Sequence, residues 1–252
     1  MTLLVDCHAH LGMSDDPGLA VSEARERGVG HIIAVGFDLK TSRQAVDIAR
    51  RHAGVSAAVG MHPHDASSLD SRTIAELKSL AAAPEVVAIG ETGLDYYRDR
   101  SPRDRQQEAF KRQIGLAHET GQTLMVHSRE APDDTMAILE TEASGLRVML
   151  HCFPLYGQVD ECAARGYYMS IAGNVTFPKA TALRESVRKI PANLLLTETD
   201  SPWLTPVPFR GKTNQPAYIR FIIAELSLLR QTSPDDLIRQ VHANFCAAFA
   251  IR

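Results

Sequence analysis

Long hydrophobic runs are missing from this sequence of 252 residues. No apolar stretch approaches the roughly 20 residues that span a bilayer, so we expect no membrane segment. The amino terminus, MTLLVDCHAH, has no basic region before its apolar residues and reaches polar residues within six positions. A secretory signal peptide needs both a basic start and a longer apolar core, so none is expected here.

Cysteine is scarce, and charge of neither sign dominates. Four cysteines occur, none of them in a C-x-x-C pair, and such scattered usage predicts reduced thiols in a cytoplasmic protein. The 27 basic and 30 acidic residues give a formal net charge of −3. This balance argues against a protein that wraps long nucleic acid, which needs a broad basic face, but it allows a local basic rim around a pocket.

Short apolar runs alternate with helical patterns along the whole chain. The runs are rich in Val, Ile and Leu, as strands buried on both faces should be. The eight predicted strands are Leu3–His8, His31–Val35, Val55–Gly60, Val86–Gly90, Thr123–His127, Val148–His151, Tyr168–Ile171 and Leu194–Glu198. Eight β-then-α units in about 250 residues predict an α/β fold, a (β/α)8 TIM barrel forming a single domain over residues 1–252. A doubly wound sheet is the alternative.

Metal-ligand side chains stand at the ends of five predicted strands. The carboxyl ends of barrel strands share one face, where catalysis takes place. The candidate ligands are His8, His10, Glu91, His127, His151 and Asp200. Because side chains alternate along a strand, both histidines of the first strand point the same way, and Cys7 between them should face the helical layer.

Six ligands are too many for one tetrahedral ion, so we expect two divalent ions about 3.5–4 Å apart. Glu91 suits the bridging position, with His8, His10 and Asp200 on one ion and with His127 and His151 on the other. Imidazoles favour Zn²⁺ or Mn²⁺, and carboxylates accommodate Mg²⁺, so the identity of the ions stays open. Asp200 is the candidate base that takes the proton of an attacking water, and Glu91 is the second candidate catalytic residue.

Further residues near these strand ends are candidates for contacts with an anionic substrate. His62 or His64 follows the third strand, and Arg129 could grip a phosphate through its forked guanidinium. Arg210 and Lys212 lie in the long loop after the eighth strand, where phosphate contacts are common in this fold.

Two residues flank the last candidate ligand, Asp200. Glu198 has the same facing as Asp200, so it either orients a ligand or holds the barrel core. Trp203 is the only tryptophan, and both wedging the loop and stacking a base remain open.

The motifs identify the chain as similar to the TatD family of metal-dependent deoxyribonucleases, within the amidohydrolase-like barrels. The matching segments are DCHAHL at 6–11, GMHPH at 60–64, GETGLDYYRD at 90–99, HSREA at 127–131, HCF at 151–153, NVTFPKA at 174–180, ETDSPWLTPVPFRGKTNQP at 198–216 and HANFCAAF at 242–249. The resemblance implies the same two ligand sets, with Glu91 shared, and magnesium-supported trimming of DNA ends. The chain departs from the family in the short loop after His10 and at Pro154–Tyr156, where a Ser-Gly turn is usual.

The leading hypothesis is therefore a hydrolase that cleaves phosphodiester bonds at DNA ends, as a 3′ exonuclease. An ester or amide hydrolase, including a D-aminoacyl-tRNA deacylase, is the alternative, and a metal-holding protein without turnover is a third class. The basic set Arg129, Arg210 and Lys212 favours a nucleic-acid substrate over a small neutral one. No obligate protein partner is expected.

Overall fold

A computed structural model describes residues 3–251. Eight parallel strands form one sheet in which each strand pairs with the next along the chain. The strands are β1 (Leu4–Ala9), β2 (Val29–Val35), β3 (Val55–Val59), β4 (Val86–Asp95), β5 (Thr123–Arg129), β6 (Val148–Leu150), β7 (Tyr168–Ile171) and β8 (Leu195–Thr197). The helices are α1 (Pro17–Glu26), α2 (Leu39–Arg51), α3 (Ser71–Ala81), α4 (Arg103–Thr120), α5 (Pro132–Glu142), α6 (Val159–Ala164), α7 (Thr181–Lys189), α8 (Ile219–Arg230) and α9 (Pro234–Phe249).

The sheet closes where β8 returns to β1. Ala9 forms an isolated parallel bridge with Ser201. The backbone N–H of Asp200 donates to the carbonyl of His8 at 2.9 Å, and the N–H of His10 donates to that of Ser201 at 2.8 Å. The predicted TIM barrel is confirmed, and the doubly wound sheet is wrong, because an open sheet would leave β1 and β8 apart.

Burial explains why the strands are so apolar. Every residue of β3 is buried, and so are the residues of β1 after Leu4, because helices cover the outer face of the barrel and side chains fill its interior. Among the described residues, no helix combines the length and the apolar character that crossing a bilayer would require.

Strand β4 is the main departure from the predicted boundaries, because it continues for five residues beyond Gly90 to Asp95. Its pairing with β5 shifts register between Ile89 and Thr92 and then resumes. Gly93 makes this second half of the strand feasible: its φ is +138°, and a Cβ there would collide with the carbonyl oxygen of His127. The extension carries Glu91 inside the strand and sets Asp95 at its end.

Candidate metal centre

The six predicted ligands converge at the carboxyl-terminal mouth of the barrel. Five of them are buried, and His127 is partly exposed. The two histidines at the end of the first strand face the same point: the Nε2 atoms of His8 and His10 are 3.0 Å apart. Two imidazole nitrogens brought this close to each other and to carboxylates form a donor set that suits a shared cation.

One group of donor atoms surrounds the Oε2 atom of Glu91. His8 Nε2 lies 3.5 Å from it, and His10 Nε2 lies 3.6 Å from it. Asp200 Oδ1 completes the group, 3.8 Å from His8 Nε2 and 3.6 Å from His10 Nε2. Asp200 reaches this position because the chain turns directly after β8 through a left-handed residue, with φ of 53° at Asp200.

A second group surrounds the other oxygen of the same carboxylate. Glu91 Oε1 lies 2.8 Å from His127 Nδ1, 3.5 Å from His151 Nε2 and 3.6 Å from His62 Nε2. The sequence did not assign His62 to a ligand group, yet its ring is as close to Glu91 as that of His151. Glu91 thus faces a different set of imidazoles with each of its oxygens.

The donor atoms meet the spatial requirement for holding cations. Three groups have all their ligand atoms within 4.8 Å of one another: His8 with His10 and Glu91, His62 with Glu91 and His127, and His8 with His151 and Glu198. Nitrogen and carboxylate donors at such spacing suit first-row divalent ions and Mg²⁺.

Charge interactions keep the central carboxylates ionised. Burial alone would raise the pKa of Glu91, but His151, His62 and a hydrogen bond from His127 together hold that pKa well below its usual range. The pKa of Asp200 is lowered in the same way, because its contacts with His10 and His151 outweigh its burial. Both side chains therefore carry negative charge at neutral pH, as cation ligands must.

The histidines split into two electrostatic classes. Burial lowers the pKa of His8 and holds that of His62 well below the usual range, so both rings are neutral. For His151, burial lowers the pKa, but Glu198, Glu91 and Asp200 outweigh it and raise the pKa to about 10.

Glu198 lies behind His151, on the side away from Glu91. Its Oε1 atom is 2.7 Å from His151 Nδ1 and accepts a hydrogen bond from the backbone N–H of Cys152 at 2.9 Å.

The predicted orientation of Cys7, towards the helical layer, is wrong. Its Sγ lies in the barrel interior, 3.1 Å from Ser170 Oγ and 4.0 Å from Glu198 Oε2. The pairing of β1 with β2 shifts register between Asp6 and Ala9, the stretch that contains Cys7.

Asp95 is a further functional candidate that the strand-end pattern did not predict, because the predicted strand ended at Gly90. Its Oδ2 atom lies 2.9 Å from His64 Nε2 and 3.4 Å from His127 Nε2, so it contacts one candidate ligand residue and one candidate substrate residue. Burial raises its pKa, but the hydrogen bonds from His127 and Arg98 outweigh burial and lower it. The available signal was spacing: positions 91 and 95 of a strand share one face.

The three predicted basic residues lie farther out on the rim, each against an aromatic ring. The guanidinium carbon of Arg129 is 3.9 Å from the ring centroid of Tyr97, and that of Arg210 is 3.8 Å from the centroid of Phe177. Lys212 Nζ lies 5.6 Å from the ring of Phe209.

Trp203 is nearer to the centre than these rim residues. Its ring is 46% exposed and meets the ring of His10 edge-on, with the centroids 4.8 Å apart.

Known proteins are similar to this chain in sequence and in fold. The family profile described as TatD related DNase matches residues 5–250. A Bacillus subtilis (strain 168) protein named "Uncharacterized metal-dependent hydrolase YabD" is 38% identical over 240 residues, which cover 93% of this chain and 94% of that protein. An Erwinia amylovora protein named "3'-5' ssDNA/RNA exonuclease TatD" is 36% identical over 244 residues, with 94% of each covered.

Among solved structures, that of YJJV, a TatD homolog from Escherichia coli K12, superposes with a TM-score of 0.92 at 26% identity and covers 99% of this chain and 98% of its own. The length of the match and the level of identity leave one assignment: the chain belongs to the TatD family of metal-dependent hydrolases.

Proposed function

We propose that this protein is a two-metal exonuclease that removes nucleotides from the 3′ ends of single-stranded DNA. The observation that carries the proposal is the two-sided environment of Glu91, with His8 and His10 at one carboxylate oxygen and His127 and His151 at the other. A carboxylate placed in this way suits a bridge between two ions, which is the arrangement common among phosphodiester hydrolases.

In this proposal, Asp200 joins His8 and His10 on one ion, and His127 and His151 hold the other. Mg²⁺, Zn²⁺ and Mn²⁺ all suit this mixed donor set. Bound ions would supply a water of lowered pKa and would stabilise negative charge on the phosphoryl oxygens. Asp200 is ionised and next to the mouth, so it is suited to accept the proton of the attacking water.

The remaining residues bind and orient the substrate. His62 lies beside the oxygen of Glu91 that faces the second ion, so its neutral ring can donate a hydrogen bond to an anionic group there. Arg129, Arg210 and Lys212 provide positive charge at the rim, each next to an aromatic ring. Alternating cations and aromatic faces suit single-stranded nucleic acid, since phosphates meet the cations and bases stack on the rings.

The Erwinia amylovora relative is named a 3'-5' ssDNA/RNA exonuclease, which supports this choice of substrate and polarity. The mild net charge of −3 also fits a site that takes one strand end rather than a long duplex. We further propose that the protein acts in the cytoplasm, as one domain over residues 1–252 and without an obligate protein partner. Residues 1, 2 and 252 lie outside the described part of the chain.

The test is a comparison of substrates with purified protein and each of the three metals. A 5′-labelled single strand, the same strand with a blocked 3′ end, a duplex and a D-aminoacyl-tRNA are incubated in parallel. The expected result is a ladder that shortens from the free 3′ end of the single strand, with little change in the other three.

Release of the amino acid from the tRNA without shortening of DNA would support the alternative deacylase instead. Glu91→Gln serves as the inactive control, because it keeps the shape of the side chain and removes the charge that both ions need.

A further inference from the structure

A cavity lies among the loops that follow the strands β6, β7 and β8. Its volume is about 490 Å³, within the range of roughly 300–1,000 Å³ that is usual for small-ligand pockets. The residues that line it include Tyr156, Asn174, Phe177, Lys179 and Arg210. We name it the Phe177 cavity.

The walls of the Phe177 cavity are held together by hydrogen bonds between loops. The carbonyl oxygen of Tyr156 accepts a bond from Ser186 of α7 at 3.3 Å. The N–H of Val207, after β8, donates to Thr176 Oγ1, after β7, at 2.9 Å. The Nε atom of Arg184 donates to the carbonyl of Val175 at 3.0 Å. The cavity is therefore built into the fold and needs no rearrangement to exist.

Asn174 links the Phe177 cavity to the metal centre. Its Nδ2 atom lies 3.7 Å from the Sγ atom of Cys152. Cys152 follows the ligand residue His151 directly, and its backbone N–H donates to Glu198. Asn174, in the cavity wall, thus contacts the residue next to the candidate ligand His151, so a strand end held at the proposed second ion can extend into this cavity.

The chemistry of the lining selects one class of occupant. Phe177 and Tyr156 offer aromatic faces, and the Arg210 guanidinium lies 3.8 Å from the Phe177 ring centroid. Lys179 adds a second cation, and within residues 3–251 the lining contains no carboxylate. Of two further cavities, one is lined by Glu23 and Glu26 together with Arg27 and Arg220, and the other by Asp15, Asp16 and Glu23. The carboxylates in those two linings oppose a phosphate, so of these three cavities the Phe177 cavity has the lining that best suits a phosphate-bearing ligand.

We infer that the Phe177 cavity binds one base and its phosphate from the single strand, next to the nucleotide whose bond is cleaved. The base stacks against Phe177 and Tyr156, and the phosphate meets Arg210 and Lys179. This inference rests on the proposed nuclease function and deepens it.

The experiment measures binding rather than turnover. A fluorescent, hydrolysis-resistant phosphorothioate oligothymidylate is titrated with protein in Mg²⁺, and anisotropy gives the Kd. Stacking of one base on an aromatic side chain contributes about 1–3 kcal/mol, so Phe177→Leu should raise Kd roughly five- to 150-fold. Phe177→Tyr should stay close to wild type, because it keeps the aromatic face. Because leucine keeps apolar packing but has no aromatic face, comparing Phe177→Leu with Phe177→Tyr distinguishes loss of stacking from a structural effect on the cavity.

Phe221→Leu is the matched control. Phe221 is also half-buried and also has an arginine, Arg220, at its ring, with the guanidinium carbon 4.7 Å from the centroid, but it does not line the Phe177 cavity. Its Kd should equal that of wild type, and thermal unfolding of every variant checks the fold.

The outcomes separate this inference from the proposed function. A raised Kd for Phe177→Leu alone supports the cavity as a nucleotide site. An unchanged Kd in Phe177→Leu, with wild type still shortening single strands, overturns the cavity inference and leaves the exonuclease proposal standing. A wild-type protein that neither binds nor shortens single strands overturns both.

Discussion

The contact between Glu198 and His151 makes a quantitative prediction about metal affinity. Glu198 is fully buried, and its Oε1 atom serves two partners, the His151 ring at 2.7 Å and the Cys152 N–H at 2.9 Å. A carboxylate behind a ligand histidine fixes the orientation of the ring and raises its basicity. Replacing Glu198 by glutamine keeps an acceptor for Cys152 and removes the charge that faces His151.

Loss of such a supporting carboxylate typically costs about 10- to 100-fold in metal affinity or activity, equivalent to about 1.4–2.8 kcal/mol. We expect Glu198→Gln to weaken the ion on the His151 side by that factor, with little change in the free energy of unfolding of the metal-free protein. Glu198→Ala also leaves the buried N–H of Cys152 without a partner, so it should destabilise the fold by a further ~1–3 kcal/mol.

Calorimetric titration with Zn²⁺ measures the affinities of the two sites, and urea unfolding in chelator measures stability. The Gln and Ala variants together distinguish orientation of the ring from support of the fold. If Glu198→Gln binds both ions with wild-type affinity, His151 is positioned by other contacts, and the assignment of Glu198 as a positioning residue is wrong.

Four further predictions follow from the same geometry. Glu91→Ala should lose both ions by metal analysis, because one carboxylate serves both groups; full occupancy of either site would exclude the bridge. Asp200→Asn at saturating metal should lose roughly 10²–10⁴ in turnover but still bind substrate, and a few-fold loss would assign the base elsewhere. Arg210→Ala should reduce the slope of log K against log salt by about 0.7 for binding to single strands, and an unchanged slope would remove its phosphate contact. Burial lowers the pKa of His31 in the folded protein to about 4. Between pH 6.5 and 4, His31 is therefore protonated in the unfolded chain but neutral in the folded protein, so falling pH favours unfolding. The free energy of unfolding should drop by about 3 kcal/mol between pH 6.5 and 4, as measured by urea unfolding. His31→Gln, which can keep a hydrogen bond to Ser56, should not show this pH-dependent loss.

The barrel is predictable from the sequence because its strands are buried on both faces and therefore stand out as apolar runs. The predicted bounds of β7, Tyr168–Ile171, are those of the structure, although it has only four residues. The first half of β4 is predicted for the same reason. Its second half is not, because glycine and polar residues interrupt the apolar pattern there, and the strand continues only through backbone pairing with β5.

Convergence of the candidate ligands is predictable for a different reason. The barrel brings all strand ends to one face, so counting ligand types at strand ends is sufficient to collect the six residues. No comparable rule predicts which residues of the loops come into contact. Phe177 and Arg210 are separated by 33 positions and meet only because the loops after β7 and β8 pack together, so their pairing had no local signal in the sequence.

The first motif begins with an aspartate, Asp6, which lies at the seam between β1 and β8. In the described part of the chain, its side chain contacts none of the six candidate ligand side chains. Asp6 Oδ1 accepts hydrogen bonds from the backbone N–H groups of Thr199 at 2.8 Å and of His8 at 3.3 Å, and Oδ2 accepts one from Thr199 Oγ1 at 2.5 Å. The carboxylate therefore joins the residue before Asp200 to the backbone of His8. Asp200 follows the last strand, and His8 and His10 lie at the end of the first, so the distance between Asp200 and these histidines depends on this seam. In the D-x-H-x-H pattern, the two histidines are the candidate ligands, and the aspartate positions Asp200 by binding Thr199.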